Sequence, residues 1–218
     1  MGGPGGWPGR LVTLEGGEGV GKSTQAALLE QALRREGHDV VRTREPGGSP
    51  GAEVLRELLL SGRTDWSPLA ETLLHFAARA EHVARLIRPA LEAGRVVICD
   101  RFSDSTLAYQ GYGQGADPAA IQALVALLGA VPDHTVVLHA SPATQRARLA
   151  ARHAAQAGSG EEPDRYERLG AAFHARVEAG FRAIAEAEPQ RCVLVSAEGT
   201  PDEVAARVRA AVPLPLAR

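Results

Sequence analysis

The stretch Gly16-Gly17-Glu18-Gly19-Val20-Gly21-Lys22-Ser23, preceded by Leu11-Val12-Thr13-Leu14-Glu15, decides how this chain is read. It fits the pattern G-x-x-x-x-G-K-[ST], set directly between an apolar, β-rich run and a helical pattern that opens at Lys22-Ser23-Thr24. In that context the backbone N–H groups of a glycine-rich loop approach phosphate oxygens, and the following helix N-terminus adds its partial positive charge. Lys22 would reach the β- and γ-phosphates, and the Ser23 hydroxyl would ligate Mg²⁺. Composition sharpens the reading: 23 of the 24 basic residues are Arg, and the only Lys is Lys22. Where Arg serves everywhere else, a compact ammonium is retained at the position where phosphates need one. Residues 16–24 therefore predict a nucleoside triphosphate site.

Four more short apolar runs follow the first, Arg10–Glu15: Val40–Arg44, Arg95–Asp100, His134–Ala140 and Cys192–Ser196. Their continuous apolar character predicts strands buried on both faces of a parallel sheet. Helical patterns alternate with them: Lys22–Glu36 closed by Gly37, Glu53–Leu60, Pro68–Ala93 closed by Gly94, Ala116–Leu128 closed by Gly129, Ser141–His153, Asp164–Ala187, and a last helix after Thr200-Pro201-Asp202-Glu203. The fold predicted is α/β, a doubly wound five-stranded parallel sheet of the P-loop NTPase type with helices on both faces. Residues 1–9 read as a flexible Gly/Pro leader and 10–218 as one domain. Two stretches read as mobile loops, 154–163 and Gly111-Tyr112-Gly113-Gln114-Gly115. The first gives a candidate lid at about 146–166.

Other classes fall away on simple grounds. The net charge is −2, so no global field points to nucleic acid or a lipid surface. The leader lacks the apolar core of a signal peptide, and no apolar stretch reaches the ~18 residues of a membrane span. Cys99 and Cys192 sit in apolar runs without metal-ligand spacing, as expected of small buried hydrophobes in a reducing, cytoplasmic setting. There is no Asn, so the Asn-Lys-x-Asp box of a GTPase is impossible. The third strand ends in Asp100-Arg101, a single acid followed by a base. An acid there can hold a metal's water shell, and the Arg beside it points at a second anion, as in a kinase whose acceptor carries phosphate.

Three further segments, Thr43-Arg44-Glu45-Pro46-Gly47-Gly48, the run from Asp100-Arg101-Phe102 to Tyr109-Gln110-Gly111, and Asp164-Arg165-Tyr166-Glu167, resemble the signatures of thymidylate kinases, which make dTDP from dTMP and ATP. The resemblance runs in order from about Leu11 to the last helix. It implies that Glu18 accepts the sugar 3′-hydroxyl, that Arg44 and Arg101 grip the dTMP phosphate, and that Glu45-Pro46 wall the sugar and base. It also implies that Ser105, Thr106 and Gln110 meet the thymine edge while Tyr109 disfavours a 2′-hydroxyl. Arg56 matches another substrate-side Arg, or is one more charge on a solvated helix face. Arg79 is the Arg for the base carbonyl, with Phe76 stacking and His75 flanking, or the reverse. Lys22, Asp100 and Arg101 are the expected catalytic groups, with Ser23 and Asp100 on the metal. Because the loop itself carries no Arg, a catalytic Arg must come from the lid: Arg146 and Arg148 on the helix entering it, with Arg152 and Arg165 as further candidates. Ser196–Thr200 would flank adenine. The resemblance further implies a homodimer, no nucleic-acid partner and no membrane. Two alternatives stand beside it: an ATP-binding switch without small-molecule kinase activity, and another nucleoside or nucleotide kinase.

Overall fold

The computed structural model describes residues 6–156 and 165–214. Five strands form one parallel sheet in the order β2-β3-β1-β4-β5: β1 Arg10–Glu15, β2 Val40–Arg44, β3 Val96–Asp100, β4 His134–His139 and β5 Cys192–Ser196. Alternation along each strand sends side chains to opposite faces. On one face Val12, Leu14, Ile98 and Val136 pack against Leu29 and Leu33 of α1 (Lys22–Arg35) and Val204 and Val208 of α9 (Pro201–Ala210). On the other, Leu11, Val97 and Cys99 meet Val83, Ile87 and Leu91, while Val137 lies among Phe173, Val177 and Phe181 of α8 (Ala171–Ala187). The register sets Leu14 and Arg44 opposite Asp100, and Glu15 opposite Val137. The chemistry-bearing ends of β1, β2 and β3 therefore share one edge, the carboxyl edge at which doubly wound sheets hold ligands.

The remaining helices are α2 (Pro50–Leu60), α3 (Pro68–His82), α4 (Arg88–Glu92), α5 (Ser103–Thr106), α6 (Pro118–Leu128) and α7 (Pro142–Gln156). The cap expected at Thr200 is present, and α6 starts at Pro118 rather than Ala116. Asp117 caps α6 by accepting from the Ala119 N–H, and Thr200 with Glu203 forms a reciprocal capping box on α9.

Several expectations are corrected. α2 starts at Pro50 rather than Glu53, with Ser49 extended before it and Pro at the first turn. Pro68–Ala93 is not uniformly α-helical: a π-helical stretch, Val83–Ile87, links α3 to α4. Pro89 lacks an N–H and its ring crowds the carbonyl four residues back, so a wider turn before it relieves both problems. The loop expected at Gly111–Gly115 is largely helical, because Leu107–Gly113 continues α5 as a π-helical segment packed on α8. Arg176 of α8 fixes its end by donating twice to the Gly113 carbonyl. The helix expected over Asp164–Ala187 begins only at Ala171, behind an extended Gly170, since Arg165–Arg168 form a turn that buries Tyr166. Within the leader, Trp7 packs against the cluster that holds Leu11 and Leu91, and the Gly9 N–H donates to the Leu91 carbonyl. Part of the candidate lid and residues 1–5 lie outside the described residues.

Candidate active site

The loop after β1 owes its shape to its glycines. At Gly16 the φ is 131° and a Cβ would stand 2.3 Å from the Leu138 carbonyl oxygen, so no side chain fits. Gly21, at φ 92°, caps α1 in the left-handed region, leaving the helix N-terminus open toward the loop. Lys22 Nζ curls back 2.7 Å onto the Gly17 carbonyl, and burial pulls its pKa below the ordinary value. Ser23 Oγ donates to Asp100 at 2.5 Å. That hydroxyl–carboxylate pair is a set of hard oxygens at the foot of the loop, the donor chemistry Mg²⁺ takes.

One open cavity of about 1640 Å³ runs from this loop across the carboxyl edge to α3. That exceeds the roughly 300–1,000 Å³ of a one-ligand pocket. Arg101 stands in the middle. It has a φ of 69°, a left-handed conformation that is strained for a residue with a Cβ and that aims its guanidinium back at the loop. Its Nη1 donates to the Gly16 carbonyl and Ser105 Oγ, and its Nη2 to Glu18 (2.5 Å) and the Tyr109 hydroxyl. Burial alone would raise the Glu18 carboxyl, but Arg101 and Lys22, with a hydrogen bond from Tyr109, outweigh it and hold Glu18 at about 2. Beneath Arg101, Glu15 accepts from the Phe102 N–H (2.8 Å) and Ser105 Oγ (2.5 Å). Burial, reinforced by the nearby Asp104 charge, pushes Glu15 up to about 7.

At the far end, Arg79 is only 3% exposed. Its Nε donates to Glu45 (2.7 Å) and its Nη2 to the Phe102 carbonyl and Thr106 Oγ1, while its buried Nη1 has no partner among the described residues. A buried cationic donor left unsatisfied is costly unless a ligand supplies the acceptor. His82 Nδ1 holds the other oxygen of Glu45 at 3.0 Å. His75, Tyr109, Gln110 and Tyr166 also line this end.

Most of the expected site residues converge on this cavity: Glu18, Gly19, Val20, Gly21, Lys22, Ser23 and Thr24 from the loop, and Arg44, Glu45, Pro46, Arg56, Arg79, Asp100, Arg101, Ser105, Thr106, Tyr109 and Gln110. Arg44 pairs with Glu53 at 3.1 Å, and Arg56 donates to the Pro46 carbonyl at 2.7 Å. Two expected residues stand apart from the cavity. Phe76 does not line the cavity; its ring lies under the Arg79 guanidinium, 4.7 Å away, and His75 faces the opening instead. Arg146 is exposed and away from the cavity, whereas Arg148, on the opposite side of α7, bonds the Ala197 and Gly199 carbonyls. Arg152, one turn on from Arg148, also lines the cavity and pairs with Glu167 at 2.5 Å. Sequence reading passed over Glu15 and Glu71. Each is an acid in an otherwise apolar stretch, and that is the one trace either leaves in the sequence.

The chain's residues 14–208 match the family model described as thymidylate kinase. It is 54% identical over 204 residues to the thymidylate kinase of Rhizorhabdus wittichii, covering 92% of this chain and 95% of that one. It is 52% identical over 208 residues to the thymidylate kinase of Gluconobacter oxydans, covering 94% of each. The crystal structure of thymidylate kinase from Ehrlichia chaffeensis superposes with a TM-score of 0.72 at 33% identity, covering 92% of this chain and 96% of that one. With a phosphate loop at one end of the cavity, an unsatisfied buried Arg at the other and Arg101 between them, the chain belongs to the thymidylate kinase family.

Proposed function

We propose that this thymidylate kinase transfers the γ-phosphoryl group of ATP to dTMP, giving ADP and dTDP, with the triphosphate on residues 16–24 and dTMP between Arg101 and Arg79. The observation that carries the reading is Arg101: its guanidinium bridges the loop carbonyl of Gly16 and the Ser105–Tyr109 side of the cavity, the one place where two phosphates must meet. A dTMP phosphate oxygen is already a nucleophile near neutral pH. It forms the new P–O bond as the bond from the γ-phosphorus to the β,γ-bridging oxygen breaks, so no general base is needed. Catalysis is positioning and charge neutralisation.

Lys22 and Arg101 neutralise the phosphates from two sides, and Arg148 or Arg152 supplies charge from α7. Ser23 and Asp100 would hold Mg²⁺, which when bound offsets charge on the donor phosphates. The Arg79 Nη1 donor meets a thymine carbonyl, with His75 rather than Phe76 against the ring. Tyr109 and Glu18 border the sugar. Arg148, on the Ala197 and Gly199 carbonyls, marks the adenine end.

A coupled ADP-release assay with ATP·Mg²⁺ and each nucleoside monophosphate in turn tests the reading. Fast turnover with dTMP and little with dCMP, AMP or GMP is expected. ATP binding with no turnover of any monophosphate would return the protein to the switch class.

A homodimer through α2 and α3 is part of the proposal. Val54, Leu58, Leu69 and Leu73 on these helices are 42–66% exposed, an apolar face that a second copy would cover. Sedimentation at micromolar concentration reads it directly. The two free, buried cysteines suit the cytoplasm.

A further inference from the structure

Glu71 of α3 is fully buried at the base end of the cavity. Its Oε1 accepts from Gln110 Nε2 (2.8 Å), Gln114 Nε2 (2.7 Å) and the Tyr166 hydroxyl (2.7 Å), and Arg165 pairs with its Oε2. An Arg-paired carboxylate only accepts hydrogen bonds, so every group that touches Oε1 must turn a donor toward it. The consequence shows at Gln114, whose buried Oε1 has no partner among the described residues. Tyr166 commits its one hydrogen to Glu71, so its oxygen accepts from Gln110 Nε2 (3.1 Å) and from His75 Nε2 (2.8 Å). His75 is thereby the Nε2–H tautomer. Among the described residues the Gln110 side chain makes its two hydrogen bonds through Nε2, which leaves Oε1 as its acceptor.

We propose that Glu71 is the positioning residue that sets the hydrogen-bond polarity of the base pocket. Acting through Gln110, it presents an acceptor that selects a pyrimidine carrying a ring N3–H. A pyrimidine whose N3 is a bare acceptor is turned away. This rests on the reading of the cavity as a dTMP site. Arg79 lines the same cavity as Gln110, and its Nη1, without a partner among the described residues, is a donor suited to the 4-carbonyl. Cytosine presents the reverse pattern at both positions, an acceptor at N3 and an amino group at C4, so it mismatches twice.

The test is Glu71→Gln, whose amide can donate or accept and so frees Gln110 to rotate. The ratio of kcat/KM for dTMP to that for dCMP is expected to fall by about tenfold or more, chiefly through a higher KM for dTMP, with KM for ATP within about twofold. A variant that loses activity equally on both monophosphates, or none at all, keeps the ratio and overturns the inference, because a merely structural carboxylate would act that way. Should the variant fail to fold, competition by N3-methyl-dTMP against dTMP on the wild type decides. The methylated compound is expected to compete poorly, and equal competition overturns the inference. A wild type that does not phosphorylate dTMP overturns the functional reading itself, before any variant is made.

Discussion

Replacing Arg101 with Ala should damage stability and turnover by separate routes that can be told apart. Arg101 is the main positive neighbour of Glu18, 2.5 Å away, and both side chains are mostly buried, at 16% and 13% exposure. Removing one member of such a pair leaves the other charge uncompensated, at a cost of about 3–5 kcal/mol. In a chain of this length that is on the order of 10 °C in Tm. Glu18 would then lose the field that holds it at about 2, and its carboxyl would rise toward or past the ordinary 4.5. Turnover should fall by roughly 10³-fold or more, the scale on which a guanidinium stabilises a transferring phosphoryl group. The double variant Arg101→Ala, Glu18→Gln removes the stranded charge. It should regain part of the lost stability and none of the activity. Thermal melts and the coupled assay on both variants separate the two effects. If the double variant melts no higher than Arg101→Ala, the account of the buried pair is wrong; if Arg101→Ala keeps kcat within a few-fold, the account of catalysis is wrong.

Glu15 binds its proton more tightly in the fold (about 7) than in the unfolded chain (4.5), so it favours the fold below 4.5 and that contribution is lost as pH rises through 7. Wild type should therefore lose a few kcal/mol relative to Glu15→Gln across that window in denaturant titrations, and a difference that stays flat or grows with pH contradicts the assignment. His75→Ala should raise KM for dTMP with little loss of stability, whereas Phe76→Ala should cost about 3–5 kcal/mol in a denaturation curve through the lost packing under Arg79. The opposite split would return Phe76 to the base. Arg146→Ala, on an exposed position, should change kcat by no more than about twofold and stability by no more than about 0.5 kcal/mol, while Arg148→Ala should raise KM for ATP several-fold by releasing the Ala197 and Gly199 carbonyls. Equal effects on KM for ATP at the two positions would refute the facing assigned to α7.

The strands, their parallel sheet and the phosphate loop were legible in the sequence because each rests on local facts. Continuous β-branched apolar runs such as Val96-Val97-Ile98-Cys99, bounded by turn signals, read as strands covered on both sides, and the glycine spacing of 16–21 between a strand and a helix reads as a phosphate loop. The exposed or buried state of a single helical position is not local. At Arg79 the offsets of three and four residues lie on adjacent sides of one turn, so Phe76 and His75 were interchangeable until Tyr166, 91 residues beyond His75, supplied the hydroxyl that holds the imidazole. The facing of Arg146 against Arg148 was likewise settled by the Ala197–Gly199 loop packed across α7. Backbone features outside α and β periodicity gave no apolar signal either, which is why the π-helical turns at Val83–Ile87 and Leu107–Gly113 emerged only in the fold. Buried carboxylates were the least legible of all. Glu15 and Glu71 read as ordinary charges in the sequence, and only the donors gathered from distant segments make them the fixed points around which Arg101 and Gln110 are held. Sequence by itself determined the loop proposed to hold phosphate, since a glycine spacing between a strand and a helix suffices for that. Tertiary structure decided how the base end is oriented, since a hydrogen bond's direction is set by the partner brought to it.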